Sequence, residues 1–391
     1  MIRMYTAFTK QIDDPEIAVR EILEQLKPEE NKLKNTVGIV HFYYEFVETD
    51  VCEAIAAAMP FEVVGSVSSY VGITEQYGDI ALSVTMLTSD DVNFSVKAIE
   101  GVNAKSVEQI ADEVAQMYVG EKPKLVMPFL ALTPHFTGDN LVDTVNALPE
   151  PFPLYGTIAF NMSMTENTHF TMINGKTPLD THVFVAFYGN IEPKFHVTNA
   201  FFDFDENFQS DFATITEASE AVLKSVDGIP TLKYLMEQGI ISKPDSLVVL
   251  PAILIYPNGT NVVRAFPGMV EGTDFFWATG SMKTGAKIKF AHLDGEKTLV
   301  SAEHLMKELV ESKENVVLMH SCAARAWSLG TKYFAEAQKI AECADEYKEA
   351  NNVPLNYSLA YSGGEICPVW DKDGKMVNTL HNYTLVACTF D

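Results

Sequence analysis

Five polar residues in the second half of the sequence have the chemistry of a binding site. Cys322 and Arg325 follow a short apolar segment, Glu365 lies on a Gly-Gly turn, and His381 directly precedes Asn382. An arginine fork can bind a carboxylate or phosphate, and a glutamate can accept from an amino group or orient the arginine. A histidine and an asparagine can supply directional hydrogen bonds. We therefore expect these five residues to bind a small polar ligand, and the opposed charges favour a zwitterion such as an amino acid.

Two other kinds of chemistry use the same residues. Cys322 could be a nucleophile with His320 or His381 as its base, which predicts a hydrolase or transferase. His381 could instead be an axial ligand of haem. A structural ion pair at Arg325 and a small buried side chain at Cys322 are the simpler interpretations. The sequence contains no P-loop, GxGxxG, HExxH or GxSxG motif, so no motif favours an enzyme.

The elements around Cys322 predict how the candidate residues are positioned. Residues 316–319 predict a short interior strand, a helix capped by Ser301 precedes it, and residues 326–341 predict one helix after it. In α/β sheets, ligands bind at the carboxyl ends of strands, close to the first N–H groups of the next helix. Cys322 and Arg325 are therefore expected to face such a crevice.

The first half contains a repeated order of elements. Residues 60–67 and 151–158 share the pattern Pro-Phe-x-x-x-Gly-Ser/Thr-aliphatic, and each follows a strand and a helix. Ser106 and Gln109 predict a capping box, and Asn174-Gly175 predicts a hairpin in the second copy. We predict an α/β fold with mixed sheets flanked by helices. The predicted domains are residues 1–228, with this internal repeat, and residues 229–391, with the ligand site.

Composition excludes several classes of partner. The chain of 391 residues has a net charge of −25, which disfavours binding to nucleic acid or an anionic membrane surface. Five widely spaced cysteines without a CxxC pair indicate a reducing compartment and no structural zinc site. The N-terminus lacks the features of a signal peptide, and the longest apolar run is too short to span a bilayer. We expect a cytoplasmic protein.

The second half resembles the FIST family, in which a FIST N domain is followed by a FIST C domain. The resemblance is carried by the Cys-Ala-x-Arg element within residues 319–330, by Gly364-Glu365-Ile366, and by the closing His-Asn-x-Thr strand from His381 to Phe390. In the first half, Gly65-Ser66 is similar to the family pattern. The resemblance extends from about Val37 onward.

This resemblance implies a sensory module for small ligands, with amino acids or their derivatives as the suggested ligands. Some family members bind haem and respond to nitric oxide, so haem is a possible cofactor. The sequence shows no kinase, cyclase, chemoreceptor or F-box segment, which implies that a separate signalling protein receives the output. Around residues 354–361 the sequence lacks the small-aromatic Gly contact of the family and has Ser358 and Leu359 instead, so the pocket is expected to differ in shape.

Overall fold

The computed structural model describes residues 1–74, 76–118, 120, 122–133, 136–162, 167–201, 211–243, 249–312 and 314–391. It confirms the predicted class, because mixed sheets are combined with helices that pack against them. Three sheets share one arrangement of four strands. A fourth, antiparallel sheet is inserted between two strands of the third.

The first unit of the fold is built from two strand–helix pairs and a returning strand. Its elements are β1 (Arg3–Thr9), α1 (Pro15–Leu26), α2 (Pro28–Asn31), β2 (Asn35–Phe42), α3 (Glu45–Glu48), α4 (Val51–Ala58), β3 (Glu62–Val67), β4 (Val71–Ile73), β5 (Gln76–Gly78) and β6 (Leu82–Ser89). The strand order is β1-β6-β2-β3, and only β2 and β3 are parallel. Helix α1 begins as predicted, because Asp14 accepts a hydrogen bond from the N–H of Ile17 and Pro15 follows the cap.

The second unit repeats this arrangement, as the sequence predicts. Its elements are β7 (Asn93–Ile99), α5 (Val107–Met117), β8 (Leu125–Leu130), α6 (Gly138–Asn146), β9 (Gly156–Ile158), β10 (Thr171–Ile173) and β11 (His182–Tyr188). The order β7-β11-β8-β9 matches that of the first unit, with β8 and β9 parallel. The capping box of Ser106 and Gln109 is present. The tight turn predicted at Asn174-Gly175 is present and is closed by an antiparallel bridge between Ile173 and Lys176. The strand before it, β10, pairs with β3 of the first unit and not with a strand of the second.

An insert rich in β-strands follows β12 (Lys194–Asn199), the first strand of a third unit. The insert contains β13 (Ala213–Ser219), β14 (Val222–Val226), β15 (Ile229–Pro230), α7 (Thr231–Glu237), β16 (Leu250–Ile255), β17 (Asn261–Phe266), β18 (Gly268–Met269), β19 (Phe276–Trp277) and β20 (Lys287–Phe290). Its strands pair antiparallel and enclose their own apolar core. The boundary expected after residue 228 falls between the paired strands β14 and β15, and the division into two domains stays a prediction.

The third unit continues after the insert. Its further elements are α8 (Gly295–Ser312), β21 (Val316–Cys322), α9 (Ala323–Ser328), α10 (Ala335–Asn351), β22 (Tyr357–Ser362), β23 (Glu365–Trp370), β24 (Met376–His381) and β25 (Thr384–Phe390). The order β12-β25-β21-β22 is that of the other two units, again with one parallel pair.

Two sequence predictions for helices of the third unit are wrong. The single helix predicted over residues 326–341 is divided into α9 and α10, because Gly330 adopts a left-handed conformation between them. Ser301 does not cap a helix, because α8 begins six residues earlier. Asp294 accepts from the N–H of Glu296 there, at 2.9 Å.

The three units are joined in a closed ring by exchanged strands. The β4–β5 hairpin of the first unit pairs with β22, β10 of the second pairs with β3, and the β23–β24 hairpin of the third pairs with β9. The inner faces of the three sheets form one shared core, to which β2, β8 and β21 each contribute. At its end the rings of His41, Phe129 and His320 meet, with the two histidine rings 5.6 Å apart. The fold therefore has approximate threefold symmetry.

Candidate functional site

The three segments that carry the candidate residues converge at one end of the third unit. Cys322 at the end of β21 is paired with Ser362, and Glu365 at the start of β23 is paired with His381. Asn382 follows directly. All five candidate residues are buried. The structure thus brings them together, beneath the surface and not at it.

Arg325 is held in a buried ion pair. Its Nε donates to Oε1 of Glu336 at 2.7 Å, and its Nη2 reaches the same oxygen. Nη2 also donates to the hydroxyl of Ser301 at 2.9 Å and to the carbonyl oxygen of Thr298 at 3.1 Å. An anionic ligand group would have to displace Glu336 to reach this guanidinium.

Both carboxylate oxygens of Glu336 accept hydrogen bonds. The hydroxyls of Ser321 and Tyr361 donate to its second carboxylate oxygen at 2.6 and 2.9 Å. Sequence reasoning missed Glu336, which lies in the helical tract after the candidate cluster. In the single helix that the sequence predicts, residues eleven apart would lie roughly 16 Å apart along the axis, so nothing marks Glu336 as the partner of Arg325.

Glu365 is a buried carboxyl group that binds hydroxyls. The hydroxyls of Ser362 and Thr384 each contact it at 2.6 Å. Burial raises its pKa to about 8, although these hydrogen bonds and the charge of Arg325 oppose the shift. At neutral pH this carboxyl group therefore mostly carries its proton.

Cys322 lacks the environment of a nucleophile. Burial raises the pKa of its thiol well above the ordinary value, and the nearby Glu365 acts in the same direction. The candidate bases are buried too: burial lowers the pKa of His381 to about 4 and that of His320 well below its usual value. His320 points into the shared core, where it stacks on Tyr155 with ring centroids 4.9 Å apart.

His381 does not fit an axial ligand of haem. The ring is buried, and its Nε2 lies 3.1 Å from the carbonyl oxygen of Cys367. A haem iron would need that nitrogen free and an open face beside it. Among the described residues, no group of three or more His, Cys, Asp or Glu is placed to hold a metal ion.

Asn382 connects the buried cluster to a pocket. The hydroxyl of Thr279 in the insert donates to Oδ1 of Asn382 at 2.8 Å. Thr279 is one wall of a cavity of about 410 Å³, a volume within the range of small-molecule sites. We call it the apolar pocket; its lining is Leu130, Ala131, Leu132, Thr133, Phe136, Thr137, Gly138, Ile158, Phe160, Val249, Ala265, Pro267, Thr279, Trp327, Gly363 and Leu380.

Three parts of the fold form the walls of the apolar pocket. The second unit contributes the carboxyl ends of β8 and β9 and the start of α6, the third contributes α9 and the turn before β23, and the insert closes the remaining side. This is the crevice at strand ends that α/β folds use for ligands. Sequence reasoning missed the lining because isolated apolar residues such as Leu132 and Phe160 look like ordinary core.

A second buried ion pair holds the insert against the second unit. Nη2 of Arg264 in β17 lies 3.3 Å from Oδ1 of Asp139 in the first turn of α6. Nη1 of Arg264 donates to the carbonyl oxygen of Leu380 at 2.8 Å, and Asp139 accepts from the N–H of Ser281 at 2.7 Å. Ala265 and Gly138, the chain neighbours of the pair, line the apolar pocket, so the pair stabilises its outer wall.

Comparison with known protein families finds one domain model that matches the chain. The model of the FIST N domain matches residues 36–229, which cover most of the first unit, the second unit and the start of the insert. A FIST N domain is therefore present, and the FIST domain family is described as a sensory domain that binds small ligands. The match ends at residue 229, so the resemblance of the second half to a FIST C domain stays a prediction.

No curated protein matches the chain significantly. Within the described part of the chain, no helix combines the length and the apolar character needed to cross a membrane.

Proposed function

We propose that this protein is a sensor for a small molecule that binds in the apolar pocket between the second unit, the third unit and the insert. The observation that carries the proposal is the pocket itself, because a ligand there contacts three parts of the fold at once. Part of the lining belongs to the segment that matches the FIST N domain. The sensory role of that family supports a binding function more than a catalytic one.

Two of the five candidate residues, Asn382 and Glu365, support the inner side of this pocket. Asn382 is hydrogen-bonded to Thr279, and a Cβ at Gly364 would come within 3.3 Å of the Asn382 amide. Glu365 joins β22, β23 and β25 through its two hydroxyl partners. These contacts hold the Gly363-Gly364 turn that forms one wall. An amino acid bound by Arg325 stays a prediction, and it requires the Arg325–Glu336 pair to open.

Ligand binding would be transmitted through the insert. A molecule that contacts Ala265 and Thr279 on one side and Phe160 on the other stabilises the contact between the insert and the two units. A separate signalling protein would read that shift. We place the protein in the cytoplasm, which agrees with five cysteines that all remain as free thiols.

The proposal is tested by thermal unfolding with a panel of the twenty amino acids, indole and toluene. A molecule that binds only the folded protein raises the midpoint of unfolding. Leu132→Ala, at the rim of the pocket, should reduce that stabilisation. Leu179→Ala should leave it intact, because the two leucines are almost equally exposed, at 49% and 51%, and Leu179 lies outside the lining. If Leu132→Ala had no effect on a molecule that stabilises the protein, the ligand would bind elsewhere.

A further inference from the structure

The threonine hydroxyls that line the apolar pocket are already hydrogen-bonded within the protein. Among the described residues, its lining contains no charged side chain, and its polar side-chain groups are the hydroxyls of Thr133, Thr137 and Thr279 and the indole N–H of Trp327. Each of these hydroxyls donates within the protein, to the carbonyl oxygen of Phe136, to Oδ1 of Asn140 and to Oδ1 of Asn382, at 2.8 to 3.1 Å. A ligand carboxylate would find no free hydroxyl donor among them.

The charges nearest to the pocket are compensated inside the protein. Arg264 is paired with Asp139, and Arg325 with Glu336. Moving a charged group out of water without a partner is strongly unfavourable, and here the partners are already taken. The floor of the pocket therefore offers no net charge to a bound ligand.

The remaining lining is suited to a flat apolar molecule. Phe160 and Trp327 meet edge to face with their ring centroids 6.1 Å apart, and Trp327 stays partly exposed at the mouth. Leu132 is likewise half-exposed. A ligand that covers these side chains would remove apolar surface from water, which is favourable. A cavity of about 150 Å³ in a protein core is enough for benzene. At about 410 Å³ the apolar pocket has room for a molecule of one or two rings.

We propose that the ligand of the apolar pocket is a small uncharged molecule, aromatic or aliphatic, and not an amino acid or another ion. This inference rests on the proposed function, since it names the class of ligand for the same pocket. Affinity comes from apolar contact with Phe160, Trp327 and Leu132, and selectivity comes from a lining without a charged side chain to pair with an ionic group. An ammonium or carboxylate on the same ring therefore weakens binding.

Four probes with one ring system test this inference by isothermal titration calorimetry. Indole is uncharged, indole-3-acetate carries a carboxylate, tryptamine carries an ammonium group, and tryptophan carries both. We expect indole to bind most tightly and each charged probe to bind at least about tenfold more weakly, because its charge loses water without gaining a partner. Leu132→Ala should weaken the binding of indole roughly threefold to tenfold. Leu179→Ala should not change it.

The outcomes separate the ligand class from the pocket. If a charged probe bound as tightly as indole and Leu132→Ala weakened that binding, the pocket would stand and the uncharged class would be wrong. If indole did not bind, or bound equally well to Leu132→Ala and the unaltered protein, both the pocket and the ligand class would be wrong. Circular dichroism spectra of both leucine variants should match that of the unaltered protein, because each side chain is about half exposed.

Discussion

Gly65 and Gly156 occupy equivalent positions in the first two units, each pressed against the carbonyl group of the neighbouring parallel strand. A Cβ at Gly65 would lie 1.8 Å from the carbonyl oxygen of Val40, and one at Gly156 would lie 2.0 Å from that of Pro128. No real Cβ approaches backbone this closely. The repeated Pro-Phe-x-x-x-Gly pattern therefore records a contact between strands that only glycine permits.

Alanine at either glycine should destabilise the protein strongly. Because the clash is with backbone, relief requires β3 or β9 to move away from its partner, and we expect a loss of about 3 kcal/mol in the free energy of unfolding, the upper end of the usual cost of overpacking. Urea denaturation measures this. Gly268→Ala is the matched control, since a Cβ there has nothing within 4 Å. If Gly65→Ala were as stable as Gly268→Ala, the close contact between Gly65 and the carbonyl group of Val40 would be wrong.

The same glycines explain which part of the symmetry is visible in the sequence. The repeat of the first two units could be predicted because both contain this glycine contact. In the third unit, Leu359 stands at the corresponding place beside Met319, so no glycine marks the repeat. The insert also separates β12 from α8, and a pattern search along the chain cannot connect them. Strand exchange between units has no local signal at all, because it depends on distant partners.

The buried pair of Arg325 and Glu336 should be essential for stability. Glu336→Gln leaves the guanidinium buried without its counter-charge, which costs about 3 to 5 kcal/mol in comparable buried pairs. The free energy of unfolding in urea is the readout. Glu303→Gln removes the exposed partner of Lys307 and should leave stability almost unchanged. If Glu336→Gln were as stable as Glu303→Gln, Arg325 would not depend on this pair.

Glu365 should make stability fall as the pH rises. Its pKa is raised from 4.5 to about 8 by burial, so the folded state keeps a proton that the unfolded chain releases above about pH 5. The contribution is complete below that pH and is lost as the pH approaches 8. Glu365→Gln keeps a side chain that can form hydrogen bonds, but this side chain does not titrate. Between pH 5 and 8 the unaltered protein should lose up to about 1.4 kcal/mol per pH unit relative to this variant. If the stabilities of the unaltered protein and of Glu365→Gln changed in parallel between pH 5 and 8, Glu365 would be ionised in the folded protein.

The paired histidines at the end of the shared core should make the protein sensitive to acid. Burial lowers the pKa of His41 from 6.5 to about 4, so its contribution to stability is present above about pH 6.5 and is lost as the pH falls toward 4. His41→Phe copies Phe129, which has the equivalent place in the second unit. Chemical denaturation from pH 7 to pH 4 should show a loss smaller by up to about 3 kcal/mol in this variant. The exposed His304→Gln should behave as the unaltered protein. If His41→Phe lost as much stability between pH 7 and pH 4 as the unaltered protein, His41 would not be buried in its neutral form.

The candidate site was only partly predictable for a physical reason. Arg325, Glu365 and His381 are conspicuous because charged and titratable residues are rare beside apolar strands, and the structure does bring them together. Their charges are neutralised within the protein, however, and the space that remains is bounded by Leu132, Phe160 and residues like them. Apolar lining and apolar core have the same composition. Only the fold distinguishes them.

Fluorine NMR of the protein labelled with 5-fluorotryptophan tests the apolar pocket most directly. The chain has three tryptophans, of which Trp327 lines the pocket while Trp277 and Trp370 are exposed and lie outside the lining. Titration with indole should shift the resonance of Trp327, assigned with Trp327→Phe, and leave the other two in place. A saturable shift of Trp277 or Trp370, with Trp327 unchanged, would contradict binding in the apolar pocket.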